Sequence, residues 1–168
     1  MVKEYFRPES LAEALDLLAR PGALALAGGT YALAFEARDK PERVVDLASV
    51  LPRSVERNGD ALSIGAGATF QELIESEATP SAVKSAAATM ANRNTRNRAT
   101  VGGNLGANKS CSSLAPVLLA LGASVTVAER GKAPASTSLE SWIASPRGVV
   151  LSVETKLTPG LKVAALRH

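Results

Sequence analysis

The feature that most restricts how this chain can fold is a pattern that occurs twice. In LALAGGTYAL, residues 24–33, an apolar run enters Gly28-Gly29 and meets a hydroxyl at Thr30. In RNRATVGGNLGANKS, residues 96–110, the β-branched pair Thr100-Val101 enters Gly102-Gly103 and then Asn104. Glycine is costly inside regular structure, because it loses more backbone freedom on folding than any other residue. It belongs where φ is positive or where another group approaches closely. Each pair can therefore be a tight turn and nothing more. Alternatively, each can cradle a phosphate. Small residues let backbone N–H groups face phosphate oxygens, and a helix that starts just after the turn adds a favourable dipole. Thr30, Thr100 and Asn104 would add side-chain hydrogen bonds, and two such loops could grip one diphosphate from both sides. The residue pattern alone leaves both readings open.

Around these pairs the chain breaks into short elements. Ser10 to Glu13 form a capping box before Leu11, Leu15 and Leu18 at helical spacing, and Pro21-Gly22 ends that helix. Residues 23–27 and 43–47 predict buried strands with a helix over 31–38 between them, a small α/β unit with a parallel pair. Asn58-Gly59-Asp60 between 54–57 and 61–66 signals a hairpin. A second capping box, Thr69 to Glu72, starts a helix to about Ser76, and Pro80 opens another that reaches about Ala91. An arginine-rich turn and the second glycine pair follow. Then come a short buried helix over 114–121 stopped by Gly122, a strand over 123–129, a helix over 139–144 and a last strand over 149–157. The division falls near residue 55: residues 1–55 form an N-terminal α/β subdomain with the first loop, and residues 56–168 an α+β subdomain with the second.

Composition removes many function classes. The 168 residues fit one domain or two small subdomains sharing a core, and 46% hydrophobic content is enough to offset chain entropy. No apolar run approaches the roughly 18 residues of a membrane span. The segment MVKEYFRPES has no apolar signal region, so a cytoplasmic location is the default expectation. Cys111 is the only cysteine, which excludes an internal disulfide or a cysteine-held iron–sulfur cluster in this chain, and favours an inert thiol. The only histidine is His168, so no Ser-His-Asp, Cys-His or paired-histidine zinc pattern is available away from that position. If the chain takes part in catalysis, the reactive atom belongs to a bound cofactor. The net charge of +3 permits an anionic ligand without demanding nucleic acid. Arg93, Arg96 and Arg98 have no aromatic residue among them, so a base-stacking platform is poorly supported. They are either a solvated loop or an attraction for a diphosphate or an acidic partner. GAGATF, residues 65–70, has two glycines of a dinucleotide fingerprint but lacks the third, so it is better read as a strand end before the Thr69 cap.

LALAGGTYAL together with TRNRATVGGNLGANKSCSSLAPVLLALGASVTV resembles the FAD-binding domain of molybdenum hydroxylases. The opening VKEYFRPESLAEALDLLA and the segment LSIGAGATFQELIES are similar to that domain too, so the resemblance covers essentially the whole chain. It implies a vanillyl-alcohol-oxidase-like (PCMH-type) α+β fold in which FAD lies extended between the two subdomains. It also implies a role in electron transfer beside a 2Fe-2S iron–sulfur subunit and a molybdopterin-binding large subunit, with NAD or another acceptor taking the electrons. By the same resemblance the first loop would use Leu26, Ala27, Gly28, Gly29, Thr30, Tyr31, Ala32 and Leu33, and the second Thr100, Val101, Gly102, Gly103 and Asn104. Ser113 falls where many members carry an aspartate, Val150 or Leu151 near a backbone position that approaches the flavin ring, and Arg167 at a basic position near it. Members usually continue into a C-terminal domain, so the resemblance implies either a naturally short form without it or a fragment. A non-catalytic interaction or scaffold module of the same fold is the alternative expectation.

Overall fold

The computed structural model describes residues 2–33 and 41–157. Along them run β1 (Glu4–Phe6), α1 (Leu11–Leu18), β2 (Ala23–Leu26), β3 (Arg43–Asp46), β4 (Val55–Asn58), β5 (Ala61–Gly65), α2 (Phe70–Glu75), α3 (Ser81–Ala88), α4 (Arg93–Arg96), α5 (Val101–Ala107), α6 (Ala115–Ala120), β6 (Ser124–Ala128), β7 (Ala135–Ser138), α7 (Leu139–Ala144) and β8 (Val149–Lys156). Parallel and antiparallel sheets are both present, in keeping with the α+β class.

The first sheet has the order β1-β3-β2 and is parallel throughout. Val44 and Val45 on its central strand are buried. Leu26 stands opposite Asp46, and Leu47 N–H donates to the Leu26 carbonyl at 2.7 Å. The first glycine loop therefore leaves the C-terminal edge of this sheet beside Asp46. Helix α1 begins as expected: Ser10 Oγ accepts from Glu13 N–H at 3.2 Å. The Glu13 carboxylate reaches past the cap to Glu9 N–H at 2.9 Å. Its fully buried face is Ala14 and Leu17, while Leu11, Leu15 and Leu18 are only half-buried. Strand β1 escapes sequence reading because Glu4-Tyr5-Phe6 shows no apolar run; pairing with β3 makes it a strand.

The second sheet has the order β4-β5-β8-β6-β7 and is antiparallel throughout. The Asn58–Ala61 hairpin turns at Gly59, whose φ of 58° suits the tight connection. A bulge between Thr126 and Val127 shifts β6 against β8. Strand β7, sequence ASTS, is too polar and exposed to be read from the sequence and is held by its pairing with β6. Thr69 caps α2 with both halves of its box formed. Residues 93–96, expected as a turn, close a helical turn capped by Asn92. One hydrophobic cluster runs from Ala14, Leu17 and Val45 through Leu62, Phe70 and Leu118 to Trp142 and Val153, so both sheets share a core. Among the described residues no helix is long and apolar enough to cross a membrane. Most of the helix expected over 31–38, and Arg167, lie outside the described residues.

Candidate functional site

The first glycine pair leaves β2 as an irregular loop. Gly29 has φ of 70°, a conformation that favours glycine. A Cβ there would also stand 3.2 Å from the Leu26 and Leu33 side chains. Leu33 N–H donates to the Gly29 carbonyl at 3.2 Å and closes one turn. Among the described residues, the N–H groups of Gly28, Gly29, Thr30, Tyr31 and Ala32 donate to no protein acceptor. Thr30, Tyr31 and Leu33 are exposed, while Ala27, Gly28 and Ala32 are half-buried and Leu26 is buried. Among the described residues this is a run of backbone donors without a protein acceptor.

The second pair is built differently. Gly102 and Gly103 are not a turn; they lie in the first turn of α5 with Thr100 as its N-cap. All four N–H groups at this helix start are already used. Val101 donates to Ala68 O at 2.9 Å, Gly102 to Ala66 O at 2.8 Å and Asn104 to Thr100 O at 2.9 Å. Gly103 donates to Thr100 Oγ1 at 3.1 Å. Gly102 is needed for packing, because a Cβ would come within 2.8 Å of Ala66 Cβ. Gly103 is exposed, and a Cβ on it would meet only Thr100 Oγ1. Behind it, Ala66 N–H donates to the Leu151 carbonyl at 2.8 Å and so ties α5 to β8. Val150 itself is buried in the core opposite Val127.

The fold brings the two segments into contact. A Cβ on Gly28 would lie 1.8 Å from the Arg98 carbonyl oxygen, so only glycine fits there. Arg98 Nε donates to the Gly28 carbonyl at 3.2 Å. Farther along, Lys109 Nζ rests over the Tyr31 ring, 4.9 Å from its centroid. Asn104 Oδ1 accepts from Ser112 Oγ at 2.6 Å, and Ser112 Oγ accepts from Ala115 N–H at 3.1 Å, which folds residues 108–114 back over α5. Ser113, half-buried, makes no hydrogen bond among the described residues. Lys109, Ser112 and Ala66 are the residues that sequence reasoning missed. Only Ala66 left a signal, as one of the small residues of GAGAT.

Among the described residues, charge at the junction comes from Arg98 and Lys109. Arg93 pairs with Glu75 at 2.7 Å, and Arg96 is spent on Gln71 Oε1 at 3.1 Å and the Met90 carbonyl at 3.1 Å. Two of the three clustered arginines are thus structural. At the loop's base the buried Asp46 accepts from Ala48 N–H at 2.9 Å and from the Tyr5 hydroxyl, with Arg7 at 3.8 Å. The hydrogen bond to Asp46 raises the Tyr5 pKa, because ionisation would set two negative charges together. The GAGAT glycines carry no ligand surface: Cβ atoms on Gly65 and Gly67 would run into the Pro52 carbonyl at 2.4 and 3.0 Å. A groove of about 500 Å³ between α1 and the β6–β7 turn shares no residue with either loop. Cys111 is exposed in the 108–114 segment.

A diphosphate-bearing ligand fits this junction. Among the described residues the first loop offers N–H groups without a protein acceptor, and the second offers side chains (the Thr100 hydroxyl proton, the Asn104 amide and Ser113), the N–H groups of residues 101–104 being spent. The comparisons agree with that chemistry. A family model described as the FAD binding domain in molybdopterin dehydrogenase matches residues 1–158. The uncharacterized protein YgfM of Escherichia coli (strain K12) is 33% identical over 148 residues, 87% of this chain and 56% of that protein. The xanthine dehydrogenase FAD-binding subunit of Escherichia coli O157:H7 is 38% identical over 126 residues, 68% of this chain and 42% of the relative. The structure of quinoline 2-oxidoreductase from Pseudomonas putida 86 superposes with a TM-score of 0.85 at 25% identity, over 95% of this chain and 60% of that one. The chain spans roughly half the length of the curated relatives it matches. With nearly all of its residues inside that one family's match, the chain belongs to the FAD-binding domains of molybdopterin dehydrogenases.

Proposed function

We propose that this chain is the FAD-carrying, electron-transferring part of a molybdenum-hydroxylase-type oxidoreductase, working beside a 2Fe-2S subunit and a molybdopterin-binding large subunit. The observation that carries the reading is the contact of Gly28 with Arg98, which sets a run of open backbone donors beside the start of α5. Gly28 to Ala32 would hold the cofactor's diphosphate through N–H groups, with Thr30 adding a hydroxyl. Thr100, Gly103, Asn104 and Ser113 would meet it from the other side, Gly103 by leaving room. Bound FAD would supply the exchange between one-electron carriers and a two-electron acceptor such as NAD. This chain's residues bind and orient; among the described residues no group is placed to attack a substrate, and substrate chemistry would belong to the partner subunits. A cytoplasmic location goes with this reading.

The test is native mass spectrometry and visible absorption after incubation with FAD. One FAD per chain and flavin absorption that survives desalting are expected. Gly29→Val should lose the FAD with native circular dichroism retained, because a β-branched side chain enters the ligand's space and resists positive φ. A parent chain that takes up no FAD, or a Gly29→Val variant that binds it as tightly as the parent, overturns the reading.

A further inference from the structure

We propose that Arg98 and Lys109 supply the positive charge of the diphosphate site, and that they do so because the start of α5 cannot. The ligand's identity as a flavin dinucleotide rests on the function proposed above; the anion site rests on the geometry alone.

A helix start that faces a phosphate normally contributes free N–H groups and the positive end of its dipole. Here the N–H groups of residues 101–104 all donate to protein oxygens at 2.8 to 3.1 Å. Residues 101–104 therefore have no spare backbone donor for a dianionic ligand. The open donors of residues 28–32 lie on one side only, and uncharged N–H groups leave much of a diphosphate's charge uncompensated. The two cations at this junction are positioned for that deficit. Arg98 hydrogen-bonds the loop it would share with the ligand, and its Nη2 lies 3.6 Å from the point where a Gly29 Cβ would be. Lys109 is parked on the face of Tyr31, inside the same loop. Neither cation has a carboxylate partner among the described residues, whereas Arg93 of the same arginine cluster pairs with Glu75. A cation held without a counterion beside open donors is what an anion site requires. Ser113 points the same way: it is an uncharged hydroxyl in the segment that carries Lys109, and residues 108–114 include no acidic side chain.

The experiment is calorimetric titration of the chain with FAD and, separately, with inorganic pyrophosphate, at several salt concentrations. Arg98→Gln and Lys109→Gln are compared with the charge-keeping Arg98→Lys and Lys109→Arg. Each glutamine variant is expected to weaken both ligands roughly tenfold at low salt, the loss of one charge-assisted contact. Each should also flatten the salt dependence, since screening acts on the charge that has been removed. The charge-keeping variants should stay near the parent on both counts. Glutamine variants that bind like the parent, or that weaken with an unchanged salt dependence, overturn the proposal, because a merely structural role would leave that slope alone. If the parent binds pyrophosphate in this cation-dependent way but not FAD, the anion site stands and the flavin reading fails. If it binds neither, both fail.

Discussion

Glycine sits in two different kinds of place in this chain, and each predicts a different substitution outcome. Gly28 is a contact point: alanine would meet the Arg98 carbonyl at 1.8 Å and force two backbones apart. Gly28→Ala should cost about 1–3 kcal/mol or more, the range of overpacking a fixed site. Gly106, inside α5, has nothing within 4 Å of a Cβ and no positive φ. Gly106→Ala should stabilise by about 0.5–1 kcal/mol, the helix-interior difference between the two residues. Urea unfolding of both variants checks this, and equal midpoints would contradict the assignment. The polar residues divide in the same way. Asn104→Ala removes the acceptor that holds Ser112 and should cost about 1 kcal/mol of stability. Ser113→Ala deletes a hydroxyl with no described protein partner and should leave stability within about 0.5 kcal/mol. If Ser113→Ala proves the more destabilising, the loop over α5 is held by other contacts.

Among the elements, α2 braces the site, since Thr69 bridges to Thr100 and Phe70 N–H donates to the Ala99 carbonyl at 2.9 Å. Its cap depends on Glu72. Partial burial pushes the Glu72 pKa up, but hydrogen bonds from the Thr69 N–H and side chain and from Arg53 outweigh it and hold the pKa below its ordinary value. A depressed carboxylate contributes stability above its unfolded pKa of about 4.3 and loses it as the pH falls through the folded value. Glu72→Gln should therefore cost about 0.5–1 kcal/mol at neutral pH, discounted for the group's exposure, and the gap from the parent should close below about pH 4. A gap that widened on acidification would contradict this. The same helix was legible in the sequence because its box is local: Thr69 and Glu72 are three residues apart. Strands β1 and β7 were not, because pairing with distant partners makes them strands.

For the whole molecule, the consequence of one shared core is cooperativity. Leu17 belongs to α1 beside the first sheet, yet it packs in the cluster that contains Trp142 of α7. Leu17→Ala should cost about 2–5 kcal/mol. Trp142 fluorescence and far-ultraviolet circular dichroism should still report one transition. Two separated transitions would mean that the sheets fold independently. A second expectation concerns activity. With Cys111 as its only cysteine the chain can hold no four-cysteine cluster, so the FAD-loaded chain should oxidise no purine or aldehyde alone and at most pass electrons from NADH to a dye. Substrate-dependent turnover by the purified chain would count against the proposed role.

Local chemistry was readable from the sequence: the caps at Ser10 and Thr69, the Gly59 hairpin, the apolar strands and both glycine pairs announce themselves within a few residues. The pairs also suffice to show a resemblance to one family. The sequence could not show that the pairs are unlike. Gly102 and Gly103 look like a second turn because Thr100-Val101 reads as a strand, and only the carbonyls of Ala66 and Ala68 turn that stretch into a capped helix with its donors spent. Arg98 could not be separated from Arg93 and Arg96 by composition; carboxylate and carbonyl partners distant in sequence absorb the other two. Lys109 drew no notice at all until folding laid it on Tyr31. Backbone preferences act over three or four residues and are written locally. Which donor remains free, and which charge lacks a counterion, depends on every group the fold brings near, and that is settled only when the chain has closed on itself.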